Sequence, residues 1–109
     1  MRNVTMVYKL LPKELRKKGI YYKQIFRDNN YAIYGLGSSK ESFLGYEVFE
    51  ICRHDGYEIA GNKIEPTEYI PKDEHFGISA FFCLTLDRAK LRLQSLKDLK
   101  RLRDDAKSG

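Results

Sequence analysis

His54, Asp55, Asp73, Glu74 and His75 are the side chains of this chain best equipped to hold a metal ion or carry a proton. All five lie in one stretch, "HDGYEIAGNKIEPTEYIPKDEHFG", residues 54 to 77. A hydrolytic metal site needs two or three such ligands converging on one ion, usually with a pair spaced to share one helix face. The stretch contains no H-E-x-x-H, H-x-x-x-H or C-x-x-C. Asp55-Gly56 and Pro71-Lys72-Asp73 are turn chemistry instead. The stretch therefore reads as surface turns, with no metal and no cofactor expected.

Nucleophiles offer no stronger case. Ser38, Ser39 and Ser42 follow Gly35 and Gly37 in "GLGSSKES", but neither a G-x-S-x-G elbow nor a Walker phosphate loop is present. The segment reads as a connection between strands. Cys52 and Cys83 each sit in an apolar, strand-like run, as expected for a buried, reduced pair. The chain is not expected to be an enzyme.

The elements that must position these residues fit one domain over residues 1 to 109. Residues 1–19 form a basic N-terminal segment, where "LPKELRKKG" reads as a short helical stretch with Pro12 at its start and Gly19 at its stop. Aromatic and β-branched runs flank Asp28-Asn29-Asn30, predicting a hairpin with strands near 20–27 and 31–36. "FLGYEVFEICRH" predicts a long strand with both faces partly covered, and Gly45 marks a bulge. In "FGISAFFCL", Phe76, Ile78, Ala80, Phe82 and Leu84 alternate as one core-facing set. Leu86, Ala89, Leu93, Leu96 and Leu99 or Lys100 then recur at helical spacing over residues 86–105, with Thr85 as cap and Leu102 extending the stripe. The expected fold is α+β: an antiparallel sheet of about four strands over 20–85 with a long C-terminal helix on one face.

No apolar run approaches the ~20 residues needed to span a bilayer, and the N-terminus lacks a signal-peptide apolar region, so a cytoplasmic protein is expected. The formal charge is +5. Its distribution is uneven: residues 1–18 carry +5, residues 87–109 carry +4 and the middle carries −4. Such a field can orient a partner.

Two kinds of partner fit. Lys97, Lys100, Arg101, Arg103 and Lys107, together with Lys9, Lys13, Arg16, Lys17 and Lys18, could engage phosphate, and Tyr21, Tyr31, Tyr34 and Tyr46 could stack on unpaired bases. Against this, the tyrosine-bearing region is acidic; the alternative is that the tyrosines close the core and the helix cations complement the helix dipole. The second partner is a protein. A connection of about twenty residues is uncommon unless functional, and Pro66, Pro71, Ile59, Ile64, Tyr69 and Ile70 suggest that 54–75 is an ordered loop. It would present Tyr57 and Tyr69 among Glu58, Glu65, Glu68, Asp73 and Glu74, an aromatic patch ringed by charge. The plainer reading is a loop that plugs one end of the sheet.

Tyr46 to Val48, Gly56 and Tyr57, Ile64 to Pro71 (I-E-P-x-E-x-x-P), and Phe76 to Phe82 occur in an order that resembles small proteins encoded by bacterial phages and mobile elements. The likeness runs over about residues 22–96 and leaves the basic N-terminal segment and the basic end of the helix outside it. That group includes CRISPR inhibitors, which act by stoichiometric binding to an effector or its guide RNA. A compact, charged chain without a catalytic constellation suits that kind of protein, and the expectation is a non-enzymatic inhibitor of a host defence complex; from charge and loop composition, its contacts are expected at Lys97, Lys100, Arg101 and Arg103 and at Tyr57, Glu65, Glu68 and Tyr69. The alternative is a small nucleic-acid-binding regulator.

Overall fold

The computed structural model of the chain describes residues 7–39, 41–71 and 80–108. In chain order the elements are β1 (Glu14–Lys17), β2 (Ile20–Arg27), β3 (Tyr31–Ser39), β4 (Ser42–Glu50), β5 (Cys52–His54), β6 (Tyr57–Ile59), β7 (Asn62–Ile64), β8 (Thr67–Tyr69), β9 (Ala80–Cys83) and α1 (Leu86–Ser108). The fold is α+β. Five strands form one antiparallel sheet in the order β1-β2-β3-β4-β9, and α1 packs across it.

Alternation along β3 and β4 divides the core in two. Ile33 and Val48 point toward α1, where they meet Ala89, Leu93 and Leu96. Tyr34 and Phe49, one residue on, point the other way, with rings stacked at 5.7 Å beneath Leu11 and Ile51. β4 therefore lies inside the sheet with both faces covered, as its apolar pattern predicts. The bulge falls where Gly45 marks it: Leu36 pairs with Gly45 and Gly37 with Phe43, skipping Leu44. A Cβ on Gly45 would lie 2.1 Å from the Phe82 ring, so glycine is what lets that ring sit there.

Local chemistry sets the element ends. The Asp28 carboxylate accepts from the backbone N–H groups of Asn30 and Tyr31 at 2.9 and 2.8 Å, fixing the β2–β3 turn. Thr85 caps α1 by accepting from the Arg88 N–H at 3.2 Å.

Five expectations change. "LPKELRKKG" is not helical: it is β1 followed by a two-residue turn with Lys18 and Gly19 at φ 54° and 80°. Gly19 serves a hairpin instead, in which β1 pairs with β2. The strand through Arg53 breaks at buried Ile51, whose N–H turns to the Asn30 carbonyl at 2.7 Å. The connection from 54 onward carries its own small sheets, β5 with β8 and β6 with β7. In β9, Ala80 of the expected set is fully buried in the core with Tyr34 and Phe49, but Phe82 and Leu84 are 49% and 75% exposed, while Phe81 and Cys83 of the other parity pack under α1. β9 is an edge strand with apolar residues on both faces, and periodicity alone does not choose between them. Phe76 and Ile78 lie outside the described residues. On α1, Leu99 and Leu102 are exposed, so the buried stripe ends at Leu96.

Candidate functional site

The candidate contact residues divide sharply once placed. Glu68, expected on the exposed side of a loop, is buried at 4% exposure. Arg27 grips its carboxylate with both terminal nitrogens, at 2.5 and 3.1 Å, and Arg53 reaches the second oxygen at 2.9 Å. The Leu11 N–H completes the set at 3.1 Å. Burial by itself would raise the Glu68 pKa, but the two guanidiniums and the backbone donor outweigh it and bring it down to about 2. This carboxylate ties the N-terminal segment, β2, β5 and β8 together. It is a structural hub rather than a contact for a partner.

Tyr57 and Tyr69 do converge, on His54. Their rings lie 5.0 and 5.9 Å from the imidazole. His54 Nδ1 accepts the Gly56 N–H at 3.1 Å, which holds the ring as part of the turn. Tyr57 is half exposed and Glu65 is exposed beside it. Asp73, Glu74 and His75 lie outside the described residues, and no group of three or more metal-ligating side chains occurs among those described.

The helix cations separate in the same way. Lys97 pairs with Asp28 at 2.8 Å and Lys100 with Glu50 at 2.5 Å, so both fasten α1 to the sheet. Arg101 is exposed, with Asp98 at 3.3 Å one turn back, and Arg103 is exposed. Of the four tyrosines suited to base stacking, Tyr21, Tyr31 and Tyr34 are buried. Tyr34 is also spent within the fold, donating its hydroxyl to the Pro12 carbonyl at 2.7 Å and accepting from Gln24 at 3.0 Å. The reading in which tyrosines close the core therefore holds for these three.

Sequence reasoning passed over a different region. Beside β9, at the N-terminal half of α1, Phe82, Leu84 and Leu91 are exposed around Arg88 and Arg92. Arg92 lies 4.3 Å from the Phe81 ring centre, which holds its guanidinium against the strand. Among the described residues no carboxylate pairs with either arginine. A signal was present: neither arginine has an acidic residue three or four positions away. Arg88 also sits in the first helical turn, where the helix dipole disfavours a cation.

The thiols lack the marks of nucleophiles. Cys52 and Cys83 are free and half-buried, and burial pushes both pKa values up. No described helix is long and apolar enough to cross a membrane. No protein-family model, no curated protein and no solved structure matches this chain.

Proposed function

We propose that this chain is a non-enzymatic, stoichiometric binding protein of phage or mobile-element origin. It acts in the cytoplasm of a bacterial host and inhibits a CRISPR-type defence complex by docking on the protein effector. The likeness over residues 22–96 is to phage and mobile-element proteins, a group that includes such inhibitors, and a compact, charged chain suits a binder of that kind. The observation that favours a protein surface over guide RNA is the burial of Tyr21, Tyr31 and Tyr34, which removes the aromatic platform that unpaired bases would stack on. Contacts come from exposed Arg101 and Arg103 on α1 and from Tyr57, Glu65 and Tyr69 on the β5–β8 side. Lys97, Lys100 and Glu68 serve the fold.

The test is plasmid interference in bacteria carrying CRISPR effectors of several types, with affinity capture of the bound complex before and after nuclease treatment. The expected result is survival of a targeted plasmid with at least one effector type and capture that persists after nuclease. Tyr57→Ala, or Arg101→Glu with Arg103→Glu, should weaken binding by at least about tenfold. No protection with any type would overturn the reading. Capture abolished by nuclease would replace it with the nucleic-acid regulator.

A further inference from the structure

The central sheet has two edges, and they are treated differently. Along β1 the residues Lys13, Arg16, Lys17 and Lys18 are exposed, the usual way of blunting an edge against further pairing. Among the described residues, the outer edge of β9 has no such guard. Its sequence is Ala-Phe-Phe-Cys with exposed Leu84 following, and among the described residues no strand pairs with that edge. α1 runs alongside, so strand edge and helix together form a groove open to solvent.

We infer that this groove takes an extended peptide segment of a protein partner, added to β9 as a sixth strand, with acidic side chains facing Arg88 and Arg92. The inference rests on the reading of the chain as a protein binder and names the chemistry of one of its contacts. Backbone hydrogen bonds to an edge strand give affinity without sequence preference, and alternate side chains then supply selectivity. On the α1 side an added strand meets Arg88 and Arg92, two cations with which no carboxylate pairs among the described residues. On the opposite side it meets Phe82, whose ring is fixed over Gly45. The partner segment therefore alternates acidic and apolar residues. A second copy of this chain fits less well, because pairing β9 with β9 would place like-charged arginines of the two helices near one another.

The probe is a synthetic peptide of about eight residues alternating Glu and Val, titrated against the full chain by fluorescence anisotropy. Two control peptides carry Lys for Glu, or alternate N-methylated backbone amides that cannot pair with a strand. The Glu–Val peptide should bind, the N-methylated and Lys peptides should not, and Arg88→Glu with Arg92→Glu should weaken binding by roughly tenfold or more. Circular dichroism should show the double variant folded, since both side chains are exposed. Equal binding of the N-methylated peptide, an unaffected double variant, displacement by oligouridylate, or concentration-dependent self-association through β9 would each overturn the inference. Plasmid protection by the wild-type chain alongside a failed peptide titration would sink this inference alone and leave the binder reading standing.

Discussion

Two pairs of arginines divide this molecule. Arg27 and Arg53 converge on one buried carboxylate, whereas Arg88 and Arg92 lie one helical turn apart on an exposed face with no carboxylate paired to them among the described residues. The residue type is the same and the consequence is opposite. Where the counter-charge is supplied from within, the arginines hold distant segments together. Where it is absent, their field is available to something outside the chain.

The difference can be broken most severely at its internal end. Glu68→Gln removes the charge that two guanidiniums surround, and breaking a buried ionic group in this way costs about 3–5 kcal/mol. Urea denaturation should show a large fall in midpoint, or no folded state at all for a domain of ordinary stability. Acid acts on the same bond. The Glu68 pKa is about 2 in the fold against an ordinary 4.5, so its stabilising contribution is full above the unfolded value and is lost as pH drops toward 2. That loss is about 3 kcal/mol, measurable as denaturation midpoints at stepped pH, and Glu68→Gln should flatten most of it.

Intermediate cases sharpen the contrast. Lys100→Ala removes an ion pair with half-exposed partners and should cost up to about 1 kcal/mol, with the loss shrinking at high salt. At the external end, Arg88→Glu with Arg92→Glu should change unfolding stability by no more than about 1 kcal/mol, the loss of the exposed Arg92–Phe81 contact being the main cost. A destabilisation comparable to Glu68→Gln would mean that these arginines are structural as well.

Much of the fold was legible because its signals were local. The Asp28 turn, the Thr85 cap and the stripe Ala89-Leu93-Leu96 depend on neighbours within a few residues. The N-terminal segment was misread because Gly19 serves equally as a helix stop and as the second residue of a tight hairpin turn, and only pairing with β2 decides. Glu68 was misplaced for a related reason. An acidic residue in a proline-flanked polar stretch reads as exposed, and the arginines that bury it are 41 and 15 residues away in sequence. Of the proposed contact patch, Tyr57 and Tyr69 do come together, around a histidine that sequence reasoning had weighed as a metal ligand. The β9–α1 groove is masked in the sequence by the greater density of cations at the end of α1. The informative feature is that neither Arg88 nor Arg92 has an acidic residue three or four positions away.

The most direct measurement of the central claim is a titration of the chain against a purified CRISPR effector from which it protects plasmids. Residual cleavage should fall linearly with added chain and reach its floor at a fixed molar ratio that does not change with incubation time. Complete inactivation by a small fraction of an equivalent, deepening with time, would mean turnover and would contradict the account of this chain as a binding protein.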